Sequence, residues 1–152
     1  MIDLFVSLSI VLTSSLLLPS LAKSEDGHSE SQGVKIEELA NSTKMWDGNL
    51  LPMYPSGQPK IKALRIQVPS GVTLPWHNHP VINAAFILQG TLELKLKDGT
   101  KKIYTMGDAL IEVVNTIHTG TALGTTDVDL VVFYAGDKTM PTTRLDDLES
   151  AQ

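Results

Sequence analysis

Apolar residues occupy every second position along three stretches of the chain, residues 64–68, 92–96 and 128–134. The residues between them are polar or charged in the first two stretches, whereas the far end of the third is apolar at every position. A period of two is typical of a strand with one buried face. The pattern therefore predicts three half-buried strands.

Turn signals separate these stretches. Asp98-Gly99 predicts a tight hairpin turn between residues 92–97 and 101–106. Glycines recur at positions 71, 90, 107 and 120, and a short helix is predicted only near the end, at residues 144–149. Many short strands with glycine-rich turns predict an all-β sandwich or barrel.

The first 22 residues have the pattern of a secretory signal peptide. Residues 4–18 are almost wholly apolar, Pro19 follows, and Ser20 and Ala22 are the small residues of a cleavage site. We expect cleavage after Ala22 and a secreted or periplasmic protein without membrane contact. The alternative is an uncleaved membrane anchor, because the apolar stretch approaches the ~20 residues that span a bilayer.

The remaining chain divides into three predicted parts. Residues 23–33 are polar, lack apolar periodicity and predict a flexible linker. Residues 34–138 carry the predicted strands and form a single domain. Residues 139–152 form a polar C-terminal tail.

Composition narrows the chemistry. The chain has 12 basic and 17 acidic residues, a net charge of -5, so it lacks the basic patch of a nucleic-acid-binding protein. It contains no cysteine, which excludes disulfides, thiolate ligands and a cysteine nucleophile. Histidine and carboxylate chemistry remain.

Three of the four histidines form the most specific pattern in the sequence. His77 and His79 are two residues apart, so in a strand both side chains point to the same face. His118 would join them from a neighbouring strand. Since histidine is the commonest metal ligand, the three imidazoles predict a site for a divalent metal ion.

The surrounding residues resemble the cupin superfamily. Gly71–Gly90, with the spacing G-x5-H-x-H, is similar to the first cupin motif, and Gly107–Ala122, with G-x10-H, is similar to the second. The resemblance implies a single-domain jelly-roll barrel, also called a double-stranded β-helix. It implies a divalent iron, manganese, nickel, copper or zinc ion held by the motif histidines, and a homodimer that pairs through edge strands.

The departures from the motifs concern the metal site. Asn83 stands where the family has a metal-binding glutamate, and Val113, Asn115 and Ala122 replace a proline, a glycine and an asparagine. An amide has no negative charge, so Asn83 would be a weak oxygen ligand at most. We expect lower metal affinity and altered selectivity.

Glu112 is a candidate replacement for the missing carboxylate. A turn between Val113 and Ile117 would place Glu112 opposite His118 on adjacent antiparallel strands. The carboxylate could then be a fourth ligand, orient an imidazole or act as a general base. The alternative is a solvent-facing glutamate at a strand end, although apolar residues flank it on both sides.

Three functional hypotheses follow. The first is a metal-dependent enzyme, which the resemblance suggests is a dioxygenase-like oxidoreductase acting on a small chelating substrate, with Glu112 as the catalytic base. The second is a non-catalytic cupin that binds a metal, a sugar or another small molecule. The third is a structural barrel whose histidines bind nothing.

Overall fold

The computed structural model describes residues 33–146. The predicted signal peptide, nearly all of the predicted linker and the last six residues of the predicted tail lie outside that range. Residues 33–36 are exposed and contain no strand. No helix long and apolar enough to cross a membrane occurs in the described part of the chain.

Residues 37–146 form an all-β jelly roll. Its strands are β1 (Pro59–Val68), β2 (His77–Asn78), β3 (Ile82–Gln89), β4 (Thr91–Leu96), β5 (Lys101–Thr105), β6 (Ala109–Ile111), β7 (His118–Leu123), β8 (Val128–Asp137) and β9 (Arg144–Leu145). One sheet has the order β1-β8-β3-β6 and the other β5-β4-β7-β2-β9. The all-β prediction is confirmed.

The predicted strands at residues 64–68, 92–97, 101–106 and 128–134 are present, with small differences at their ends. Their alternating apolar side chains point between the two sheets, where Ile87 and Val128 are completely buried. The Asp98-Gly99 turn also forms, because Gly99 has a φ of 91° and the Asp98 carboxylate accepts a hydrogen bond from the Thr100 N–H.

The helix predicted from Arg144 is wrong at its start. Arg144–Leu145 is strand β9, which pairs with β2 opposite His77 and Asn78. The Asp146 N–H also donates to the Trp76 carbonyl oxygen at 2.8 Å. Without this strand, β2 would be an unpaired sheet edge, so tertiary pairing overrides the local helix preference.

Gly90 joins β3 to β4 at a point of close backbone approach. Its φ is 83°, and a Cβ atom added there would lie 2.5 Å from the main-chain oxygen of Asp127. Gly99 has a similar φ of 91°, but no atom lies within 4 Å of its Cβ position. A comparison of Gly90 with Gly99 therefore distinguishes the cost of backbone strain, which both positions share, from the cost of steric overlap, which only Gly90 has.

We predict that Gly90→Ala lowers the free energy of unfolding by about 2–4 kcal/mol, because strain and backbone overlap add. Gly99→Ala should lower it by only about 1 kcal/mol, the cost of the left-handed conformation. Urea denaturation of both variants measures the difference. Equal losses would show that the approach of Asp127 to Gly90 has no energetic consequence.

Candidate metal centre

The three predicted histidines converge at one end of the space between the sheets. His77 on β2 lies opposite His118 on β7 in the antiparallel register, with ring centroids 4.4 Å apart. His79 follows β2, and its ring centroid lies 5.0 Å from that of His77 and 5.1 Å from that of His118. The predicted convergence is confirmed.

These side chains are able to bind one metal ion. One ring nitrogen from each histidine lies within 4.8 Å of the others, and all three residues are buried. Three nitrogen ligands suit a catalytic site for a divalent transition metal, which keeps coordination positions open for other ligands.

A main-chain carbonyl fixes each imidazole. The Nδ1 atoms of His77, His79 and His118 lie 2.7, 2.8 and 2.9 Å from the carbonyl oxygens of Pro75, Thr142 and Thr116. A carbonyl oxygen can only accept, so each Nδ1 carries the proton and each Nε2 keeps a free lone pair. This is the tautomer that a metal-binding histidine needs, and its orientation is set before metal arrives.

Burial also keeps the imidazoles neutral. It lowers the pKa of His77, His79 and His118, and that of His79 falls to about 4. Desolvation is the largest cause for all three, because the charged ring loses its hydration in the interior. Protons therefore compete weakly with a metal ion at neutral pH.

Glu112 is buried beside the histidines, as the sequence suggested, but the predicted hairpin is wrong. Glu112 follows β6 in the four-stranded sheet, whereas His118 begins β7 in the other sheet. The connection crosses between the sheets at Asn115, which has a φ of 57° and donates its N–H to the His79 carbonyl oxygen. The Glu112 Oε2 atom nevertheless lies 3.9 Å from the Nε2 atom of His118.

Two donors hold the other oxygen of this carboxyl group. Glu112 Oε1 accepts hydrogen bonds from the Trp46 indole N–H at 2.5 Å and from the Val113 N–H at 2.9 Å. Burial raises the pKa of Glu112 to about 7, although both hydrogen bonds and the nearby His77 act in the opposite direction. The carboxyl group is thus held in place and gains or loses its proton near neutrality.

Trp46 is a site residue that the sequence reasoning missed. It lies in a short turn closed by the pairing of Lys44 with Leu50, and its main-chain N–H donates to the Ile111 carbonyl oxygen at 3.0 Å. Sixty-six positions separate it from Glu112, and no motif links the two residues. The only local signal was a large aromatic residue at the start of the turn sequence Trp46–Asn49.

Asn83 lies on β3 and is almost completely buried in the same pocket. Its side-chain amide nitrogen donates weakly to the Val81 carbonyl oxygen at 3.4 Å. Its main-chain carbonyl oxygen accepts from the Glu112 N–H at 3.1 Å, which continues the pairing of β3 with β6 and positions the backbone of Glu112. Its role as a weak metal ligand stays a prediction.

The pocket that these groups share has a volume of about 270 Å³. The histidines, Glu112, Asn83, Tyr134 and Thr143 contribute its polar groups, and aliphatic side chains such as Ile66, Leu92 and Leu130 form the other walls. Such a largely apolar cavity with a few polar groups suits a small organic ligand.

The buried carboxyl group predicts a pH-dependent stability difference in the metal-free protein. Because the folded pKa of Glu112 is raised from 4.5 to about 7, the folded state disfavours ionisation, and stability falls as pH rises through that window. Glu112→Gln removes this penalty, so its stability advantage over wild type should grow by about 1–3 kcal/mol between pH 4.5 and 8.

Denaturation at several pH values with a chelator present measures this difference. The contributions of His79 and His118 cancel between the two proteins, and that of His77 differs slightly because the charge of Glu112 raises its pKa. Glu93→Gln is the control, because Glu93 forms an ion pair with Lys101 outside the pocket. A stability difference for Glu112→Gln that is constant with pH would contradict the burial of the charge.

Comparison with known proteins agrees with this fold. Residues 64–134 match the cupin domain family. A search of curated proteins finds no significant match.

Two similar solved structures are DMSP lyases. The DMSP lyase DddQ from Ruegeria pomeroyi is 22% identical with a TM-score of 0.51, covering 59% of this chain and 44% of that protein. The structures described as DMSP lyases RdDddP and RnDddQII give 17% identity and a TM-score of 0.50, covering 57% and 44%. The chain thus spans less than half the length of either protein, and at this identity the likeness shows the fold alone. The chain therefore shares its fold with these proteins, and residues 64–134, a little under half of its length, are similar to the cupin domain family.

Proposed function

We propose that this protein is a metal-dependent enzyme of the oxygenase type, acting on a small chelating organic molecule, with Glu112 as its general base. The observation that carries the proposal is the position of Glu112. Its buried carboxyl group faces His118 in the pocket lined by all three histidines. A binding site alone does not require a buried acid whose pKa lies near neutrality.

The histidines would hold the metal through their Nε2 atoms, since their Nδ1–H groups donate hydrogen bonds to main-chain carbonyl oxygens. A bound divalent transition metal would supply Lewis acidity and open coordination positions for a chelating substrate and dioxygen. The fixed rings keep the site in one arrangement, so little reorganisation is needed when the substrate enters.

Glu112 is placed to take a proton from the substrate. Its Oε1 atom is occupied by Trp46 and Val113, so the proton would go to Oε2, the oxygen nearest to His118. Burial raises the pKa of Glu112 to about 7 in the metal-free site, and a bound cation would lower it, so the carboxylate would be ionised and ready to accept a proton at neutral pH. An acidic hydroxyl or C–H group beside the chelating atoms is the proton donor that this geometry fits.

The apolar walls define the rest of the substrate. Aliphatic side chains line most of the pocket, so a substrate seated against them would displace water, and this would strengthen the electrostatic interaction between Glu112 and the substrate proton. A cavity of about 270 Å³ admits a compact molecule. We therefore propose a small enol, catechol or hydroxy acid as the substrate.

Asn83 favours a second candidate function. An amide occupies the position of the family's metal-binding glutamate, so a weaker site could bind a metal or a small molecule without turnover. In that case Glu112 would tune the binding of the ligand and transfer no proton.

Metal analysis and dioxygen uptake test the first candidate. Protein purified without added metal should contain close to one transition-metal ion per chain, and alanine at His77, His79 or His118 should remove most of it. With a panel of catechols, flavonols and hydroxy acids, the metal-loaded wild type should consume dioxygen.

Glu112→Gln is the decisive variant. It should retain the metal and lose at least 100-fold in the rate of dioxygen uptake, because the proton acceptor is absent. Glu93→Gln should match the wild type. A Glu112→Gln variant with unchanged metal content and activity would refute the base role, whereas stoichiometric metal without turnover of any substrate would favour the second candidate.

A further inference from the structure

A second cavity of about 270 Å³ adjoins the metal pocket. Lys60 and Lys62 of β1 line it together with the segment Met140–Thr143. Tyr134 and Thr143 line both cavities, so one layer of side chains separates them. Both lysines precede the match to the cupin domain family, which begins at residue 64.

The lysines occupy inward-facing positions. Side chains at alternate positions of a strand share a face, and Ile66 and Val68 on β1 line the metal pocket. Lys60 and Lys62 continue that same face, and Lys62 lies opposite Tyr134 in the register of β1 and β8. The two side chains therefore leave β1 on the same side, from positions about 7 Å apart, and both residues are exposed to solvent.

Neither Lys60 nor Lys62 forms an ion pair within residues 33–146. Asp137 also lines the cavity, and its Oδ1 atom accepts hydrogen bonds from the N–H and hydroxyl groups of Thr139 and from the Met140 N–H. These bonds hold the carboxylate in its turn but leave its charge, so the cavity is lined by two positive charges and one negative charge. The excess of positive charge favours an anion.

We propose that this cavity binds a small oxyanion, a carboxylate or a tetrahedral group, between the ammonium groups of Lys60 and Lys62. The site does not depend on catalysis at the metal centre. It is nevertheless adjacent to that centre, since the Thr142 carbonyl and Thr143 hydroxyl oxygens lie 2.8 and 3.2 Å from Nδ1 of His79. A bound anion should therefore raise metal affinity by attracting the cation, and the metal should raise anion affinity equally.

Titration of the metal-free protein with sodium sulfate and with sodium acetate tests the site by NMR. We expect saturable shifts of the amide signals of residues 60–62, 139, 140, 142 and 143 with at least one of the two anions. The comparison of sulfate with acetate shows whether a tetrahedral or a planar group fits better. In the metal-free protein the anion cannot bind to a metal ion at the three histidines. The result is therefore independent of the proposed enzymatic function.

In the double variant Lys60→Gln and Lys62→Gln, the anion affinity measured from these shifts should fall at least tenfold. The matched control is Lys44→Gln with Lys95→Gln, which removes the same charge outside the cavity. Each single variant should also weaken binding of the anion. The single variants provide the test if the double variant is unstable. Absence of saturable shifts with both anions, or equal affinity in the double variant and its control, would overturn the proposal.

Discussion

The metal centre depends on one cross-strand pair, His77 opposite His118. Strand β2 has only two residues, so its position is fixed by its neighbours: β7 on one side and β9 on the other. That pairing brings together two imidazoles that are 41 positions apart in sequence, and strand geometry then places His79 beside them. Every further property of the site, including the neutral rings and the closeness of Glu112, requires this register.

Much of the fold and half of the site could be predicted from the sequence. Strict alternation at residues 64–68 and 92–96 reports a buried face directly, and the i, i+2 spacing of His77 and His79 fixes their common direction. The resemblance of residues 107–122 to the second cupin motif predicted that His118 would join them. These features are local or recur in a motif, which is why sequence reasoning reaches them.

The remaining features arise from long-range packing. The expected hairpin between Glu112 and His118 is replaced by a crossing between sheets, because Asn115 takes a left-handed conformation and donates to the His79 carbonyl oxygen. Trp46 reaches Glu112 from a turn with no periodicity. The sequence at Arg144–Leu145 is compatible with a helix, but antiparallel pairing with the edge of β2 makes this segment a strand. None of these contacts leaves a pattern in the sequence around it.

The support of the site extends beyond the residues that match the cupin domain family, on both sides. The cupin match covers residues 64–134, yet the indole that holds Glu112 belongs to Trp46 and the carbonyl that orients His79 belongs to Thr142. Transfer of residues 64–134 alone into another protein would therefore move the three histidines and Glu112 without the indole and the Thr142 carbonyl that orient them.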